Sequence, residues 1–315
     1  MDPKDFRDKR VFFTGGTGYL GSLVLRKLKG RASVTVLSRD PDRFRSARPE
    51  LVWDGLSFVK GEIETFAFSD LSPYDFVVHG GNPADLPKDL EGQAEFRRTA
   101  IGGTKRLFSE LDRLDRPPRR ILLMSSGAVY GPQPDDSSFL SEDRSPSPQD
   151  VYGESKLETE LVRTNGANSR GIGIVHARIF ACAGAYLPLS SRFALGQFIS
   201  AARRDGTIRI WSDGTPKRSY LDGDELAEWL ITLLSGRPGG EKSIETFNVG
   251  SDDAIPIRRV AEIVRESFEA RGRTIRIEVG PLDPRRPPSP SYVPDVRRIS
   301  KKYGLKPKKS SGEAV

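Results

Sequence analysis

The chain has 315 residues, 36% hydrophobic and 30% charged, enough for one sizeable α/β core with a smaller lobe. A single cysteine, Cys182, excludes an intramolecular disulfide framework and a cysteine-based zinc site; two distant histidines, His79 and His176, leave no histidine-rich site, so no metal is expected. The net charge of +7 comes from basic residues scattered among acidic ones, as in RSARPE and EFRRTA. That pattern reads as a solvated Arg-rich surface with no nucleic-acid partner, and it leaves room for attraction of an anionic small molecule. No apolar run reaches membrane-spanning length and the start MDPKDFRDKR lacks a signal-peptide core. A cytoplasmic protein without a membrane partner is expected.

In chain order, RVFFTG reads as a strand and YLGSLVLRKLKG as an amphipathic helix ending near Gly30. Between them, TGGTGYLG puts Gly15, Gly18 and Gly21 where a strand turns into a helix. Glycines there permit a tight turn and close approach of a pyrophosphate, which the helix N-terminus attracts. SVTVLS is a second strand, and its end, LSRDP, carries Ser38 and Arg39 with Asp40 just beyond. A hydroxyl beside a guanidinium suits a ribose 2′-phosphate, so NADP(H) is preferred and NAD(H) possible. The alternative is that Arg39 is a surface residue while Asp40 turns to the ribose or caps the next helix.

SFVKG and DFVVHGG are the third and fourth strands, EGQAEFRRTAIGGTKRLFSELDRL a long helix, and RRILLMSS a fifth strand ending at Ser125 and Ser126. GPQPDDSSFLSEDRSPSPQD is a polar loop, VYGESKLETELVRT a helix and GIGIVHARIF a strand. Such alternation predicts a doubly wound parallel sheet of Rossmann type over residues 1–180. Beyond it, helices at roughly 192–204, 222–235 and 256–271 are separated by Pro/Gly-rich stretches. They suggest a smaller mixed α/β substrate lobe over 181–315, with some segments returning to the core. LDPRRPPSPSYVPD is expected to be irregular and KPKKSSGEAV to be partly disordered. Trp211, Tyr220 and Trp229 are read as core residues, and Cys182 as an inert small one.

YGESK places Tyr152 and Lys156 four residues apart, on one face of a helix. A phenol with a pKa near 10 is a poor base at neutral pH, and a neighbouring ammonium stabilises its phenolate. Taken alone, the pair also fits a surface tyrosine beside a surface lysine.

The ordered set TGGTGYLG, SSGAVYG, YGESK, GTPKRSYLDGDELAEWL and YVPDVRRISKKYGLKP resembles the extended short-chain dehydrogenase/reductase family, in its NAD(P)-dependent sugar epimerase/dehydratase branch. The resemblance covers nearly the whole chain. It implies an enzyme in which Ser126 is the catalytic hydroxyl, Tyr152 the general acid/base, and Lys156 the residue that holds the nicotinamide ribose and tunes the tyrosine. It implies cofactor contacts from Gly15, Thr17, Gly18, Tyr19, Leu20 and Gly21, from Ser38 and Arg39, from Glu62 and Ile63 at the adenine, and from the backbone of Gly80 and Gly81. Arg218 matches an arginine that binds the diphosphate of a nucleoside-diphosphate sugar, and Gln197 is placed with it at the substrate. The helices flanking the fourth and fifth strands commonly pair relatives of this kind, implying a homodimer.

The departures are informative. Ala100 and Ala181 stand where many relatives carry asparagine. Gly127 and Ala128 stand where 4,6-dehydratases carry the acid and base that follow the catalytic hydroxyl, so that chemistry lacks its extra groups. Hydride transfer at a sugar carbon remains. With an NADP-type pocket, the expected activity is NADPH-dependent reduction of the 4-keto group of a nucleoside-diphosphate 4-keto-6-deoxyhexose. The alternative is an NAD-dependent nucleotide-sugar 4-epimerase. A dinucleotide sensor without chemistry is disfavoured by the complete Ser126–Tyr152–Lys156 set.

Overall fold

Strand β1 (Arg10–Thr14) buries every side chain but Arg10, as a run of apolar residues at the centre of a parallel sheet should. The computed structural model describes residues 6–81, 86–134, 139–162, 171–189, 193–236, 244–280 and 290–315. After β1 come α1 (Tyr19–Leu28), β2 (Ser33–Ser38), α2 (Pro41–Ala47), β3 (Leu56–Lys60), β4 (Phe76–His79), α3 (Leu90–Asp112), β5 (Arg120–Ser126), α4 (Val151–Leu161) and β6 (Gly173–Ile179). One seven-stranded sheet has the order Ile244–Val249, β6, β5, β4, β1, β2, β3. The pairs β1–β2, β1–β4, β2–β3, β4–β5 and β5–β6 are all parallel.

The order reverses between β1 and β4. In an open parallel sheet the crevice beyond the strand C-termini at such a reversal is the ligand site. The ends of β1, β2, β4 and β5 therefore converge there. One face is sealed by aromatic packing: Phe12 meets Phe68 edge-on at 4.8 Å and Phe66 at 5.6 Å, with Leu107, Leu111 and Ile121 in the same buried cluster.

The chain divides into two compact units. The first takes Met1–Gly131, Pro146–Ile179 and Ala227–Phe247, so residues 227–247, beyond the boundary expected at 180, belong with the sheet. The second takes Pro132–Ser145, Phe180–Leu226 and Asn248–Val315. Its helices Ala194–Arg204 and Ile257–Glu269 pack through Leu195, Phe198, Val260 and Val264 around the parallel strand pair Thr207–Ile210 and Arg276–Val279. Of the stretch expected to be irregular, residues 281–289 lie outside the described residues.

The C-terminal segment corrects one expectation. KPKKSSGEAV ends in an ordered helix, Ser311–Ala314, opened by a capping box between Ser310 and Glu313. Ser311 is fully buried: its Oγ accepts from Tyr220 N at 2.8 Å, and its N–H donates to Asp253 Oδ2 at 2.6 Å. A polar composition did not predict this, because the order comes from buried tertiary hydrogen bonds.

Candidate active site

Gly15 has φ +81°, and a Cβ there would overlap the Gly80 carbonyl. Only glycine lets the loop after β1 press against the backbone after β4. α1 begins at Gly18, which supplies no side-chain cap, and its first turn holds no acid. The amides around Tyr19, Leu20 and Gly21 thus keep the anion-attracting character of a helix N-terminus. Thr17 sits in the same turn.

At the end of β2, Ser38 is buried and its Oγ accepts from Asp40 N at 3.2 Å, while Arg39 is exposed. The Asp40 carboxylate caps α2, accepting from Arg43 N at 3.0 Å with Pro41 at the first helical position. After β3, Glu62 is exposed and turns the chain through its carbonyl, which accepts from Phe66 N at 2.9 Å. Ile63 packs on the core cluster.

At the end of β4, His79 bridges two threonines. Its Nδ1 lies 2.7 Å from Thr14 Oγ1 and its Nε2 2.9 Å from Thr104 Oγ1. The Gly81 amide donates to Thr14 Oγ1 at 3.1 Å and the Gly80 amide to Thr14 O at 2.9 Å. Burial, then the Lys156 charge, pushes the His79 pKa down to about 3, so the ring is neutral at physiological pH.

The residues expected to be catalytic lie where β5 meets α4. Ser126 ends β5 and caps a short 3₁₀ turn, Gly127–Tyr130, its Oγ accepting from Ala128 N at 3.2 Å. Asp150 caps α4, accepting from Gly153 N at 2.7 Å. A Cβ on Gly153 would stand 2.7 Å from Ala128 O, so this glycine lets α4 close onto the 3₁₀ turn. Lys156 is buried; its Nζ donates to Met124 O at 3.0 Å and lies 5.7 Å from the centre of the Tyr152 ring, which also meets the Phe96 ring at 6.2 Å. Ser126, Tyr152 and Lys156 are thus held by one junction.

A buried charge cluster backs that junction. Ser125 Oγ donates to Glu160 Oε1 at 2.6 Å, and Arg178 grips the same carboxylate with Nε at 3.0 Å and Nη2 at 2.7 Å. The Arg178 guanidinium also lies 4.7 Å over the fully buried Tyr130 ring. Burial opposes the Arg178 charge, but Glu160 and the Tyr130 hydroxyl outweigh it and hold its pKa above the ordinary arginine range. Glu160 is one helical turn beyond Lys156, and Ser125 is the neighbour of Ser126.

In the second unit, Arg218 lies on the strand Lys217–Ser219, opposite Ile255. Its Nη1 donates to the carbonyls of Lys217 and Pro290, both at 2.8 Å. Among the described residues no carboxylate pairs with it, and burial pushes its pKa down. A desolvated cation served only by carbonyls is a ready anion partner. Gln197 lines an open cavity of about 360 Å³ with Leu189, Arg204, Arg209 and Trp211. Trp211 is 60% exposed, which corrects its expected core role; Tyr220 and Trp229 are buried as expected. The strand it follows, Thr207–Ile210, turns Ile208 and Ile210 inward and Arg209 outward, and that alternation continues to place Trp211 outside.

The family profile described as the NAD dependent epimerase/dehydratase family matches residues 11–250. The chain belongs to this family. It is 28% identical over 274 residues to the UDP-glucose 4-epimerase of Streptomyces lividans, covering 81% of this chain and 80% of that one. It is 24% identical over 311 residues to UDP-glucuronic acid decarboxylase 1 of Arabidopsis thaliana, covering 97% of this chain and 68% of that one. The fold superposes with a TM-score of 0.80 on the UDP-glucuronic acid 4-epimerase of Bacillus cereus, solved with UDP-glucuronic acid and NAD, at 20% identity over 97% of this chain and 96% of that chain.

The first unit of this epimerase/dehydratase family member fits a dinucleotide by its own geometry: a turn with no room for a Cβ, a helix start with no side-chain cap, and a buried lysine. Sequence reasoning found those residues. It missed Thr14, His79, Thr104, Ser125, Glu160 and Arg178. Glu160 carried a usable signal, standing one turn past Lys156 on the same helix. The histidine carried none, because its partners are far apart in sequence.

Proposed function

We propose that the chain is an NAD(P)-dependent nucleotide-sugar 4-epimerase. The observation that carries this reading is the junction of β5 and α4: hydroxyl, phenol and ammonium are assembled there, while the adjoining positions are Gly127 and Ala128, which offer neither acid nor base. Such a site supports reversible hydride chemistry and not elimination. Relatives named 4-epimerases favour this reading over the net 4-keto reduction expected from the end of β2.

The β1–α1 turn and Lys156 would hold a nicotinamide dinucleotide, which would supply the hydride acceptor and donor. Tyr152 takes the proton from the sugar O4 as the carbinol carbon is oxidised, and returns it when the opposite face is reduced. Ser126 hydrogen-bonds the same oxygen. Lys156 stabilises the phenolate form of Tyr152 and reaches the nicotinamide ribose. Arg218 binds the substrate diphosphate, and Gln197 with Trp211 receives the nucleobase in the cavity they line.

The test is to incubate the purified protein with UDP-sugars and follow interconversion of C4 epimers together with NAD(P)H absorbance. Epimer exchange without net change in absorbance is expected. Stoichiometric NADPH consumption by a 4-keto nucleotide sugar, with no exchange, would replace this reading by the reductase. That second reading rests on Asp40: its carboxylate caps α2, which leaves Ser38 and Arg39 free of an acidic neighbour at the ribose. If Arg39 reads a 2′-phosphate, Arg39→Ala weakens NADP binding much more than NAD binding; equal effects would sink the assignment. A homodimer through α3 and α4, where Leu90 and Leu161 are exposed, is part of the same proposal and is checked by sedimentation.

A further inference from the structure

For a neutral His79 ring the surrounding hydrogen bonds have only one consistent direction. Thr104 Oγ1 lies 2.7 Å from Ala100 O, a carbonyl that can only accept, so the Thr104 proton goes there. The Thr104 oxygen must then accept from His79 Nε2–H. A neutral imidazole has one N–H, so Nδ1 is bare and accepts the Thr14 hydroxyl proton. Having donated, Thr14 Oγ1 accepts the Gly81 N–H. With the proton on Nδ1, Nε2 and Thr104 Oγ1 would face each other as two acceptors. A doubly protonated ring is opposed by its burial and by the Lys156 charge, which keep the imidazole neutral.

We infer that His79 is a positioning residue: as a neutral ring protonated at Nε2, it relays α3 to Thr14 and thereby fixes the Gly80–Gly81 backbone against the glycine turn that holds the dinucleotide. The function at stake is cofactor affinity, so the inference rests on the proposed dinucleotide reading. Its force comes from closeness. Gly15 and Gly80 meet backbone to backbone, and both Gly80 and Gly81 are tied to Thr14. If the imidazole is removed, Thr14 Oγ1 is no longer held toward the Gly81 amide, and this wall of the cradle loosens. The same ring is buried, and its depressed pKa agrees with a nitrogen that must remain an acceptor.

The experiment uses the full chain with His79→Phe, which keeps a ring but no nitrogens, and Thr14→Val, which keeps the imidazole and removes the relay. Nitrogen NMR of the wild type should show His79 with Nε2 protonated and Nδ1 bare, unchanged from pH 5 to 9. Hydrogen exchange at the Gly81 amide should quicken about tenfold in both variants, and Kd for NAD or NADP should rise by about the same factor, the scale of one buried hydrogen bond. A proton on Nδ1, or Gly81 exchange unchanged in His79→Phe, overturns the inference. Should His79→Phe fail to fold, the wild-type spectrum and Thr104→Val, which frees Nε2 and leaves Thr14 in place, decide, unchanged Gly81 exchange in that variant again overturning the inference. Wild-type protein that binds neither dinucleotide would overturn the proposed function instead; the tautomer and the Gly81 exchange would still decide the role of His79.

Discussion

The two units bury polar groups for different purposes. In the first, two groups of buried polar side chains stand behind the candidate site, while others, such as Glu110 and Arg120, tie backbone elsewhere. His79 and its threonines stand under the glycine turn, and Ser125, Glu160 and Arg178 stand behind Ser126 and Lys156. In the second, buried polar groups tie loops together. Asn248 donates through Nδ2 to Leu140 O at 2.7 Å and Asp295 O at 3.1 Å, and Glu142, its pKa raised by burial, accepts from Asn248 N at 2.8 Å. The residues proposed to meet substrate there, Arg218, Gln197 and Trp211, are half-buried or exposed. A proton and a hydride move over short distances and need fixed groups, which the locked polar interior behind the proposed site would provide. Recognition of a nucleotide tolerates side chains that settle on binding.

That contrast can be broken by experiment. Tyr152→Phe should lower kcat by about 10³-fold with dinucleotide affinity unchanged, measured by steady-state turnover and cofactor titration. A change confined to KM would remove Tyr152 from the chemistry. Glu160→Gln leaves Arg178 buried without its counter-charge and should cost roughly 3–5 kcal/mol of stability in chemical denaturation. A loss below about 1 kcal/mol would mean that the cluster is not locked. Arg218→Ala should raise KM for the nucleotide sugar about 10- to 100-fold with little change in kcat, since one charge-assisted contact is lost. An unchanged KM takes Arg218 out of the binding site. Trp211→Ala is the gentlest test: a stacking contact is worth a rise of about three- to tenfold in KM, with the denaturation midpoint unmoved because the ring is largely exposed. A shifted midpoint with unchanged KM would make Trp211 structural.

Strands β1 to β6 were readable, most plainly β1, β4, β5 and β6, which are short buried runs, while the half-buried edge strand Ile244–Val249 was not read because it joins the sheet from far along the chain. The candidate site was readable wherever its residues sit close in sequence. Gly15 to Gly21 mark a strand turning into a helix, and Tyr152 and Lys156 are one turn apart. The exposed Trp211 and the buried Ser311 were misjudged for the same reason. Composition predicts where a residue type usually goes, while the neighbours that decide burial arrive from elsewhere in the chain.

By itself the sequence determined the strand and helix pattern, the glycine turn, the hydroxyl–phenol–ammonium set, and the absence of acid and base at Gly127 and Ala128. These depend on residue type and local spacing. Only the tertiary structure decided the protonation of His79, whose partners Thr14 and Thr104 lie 65 and 25 residues away, and the Ser125–Glu160–Arg178 cluster, whose members come from β5, α4 and β6. Hydrogen bonds and buried charges are short-ranged, so their assignment waits on which strands and helices the fold brings within about 3 Å of each other.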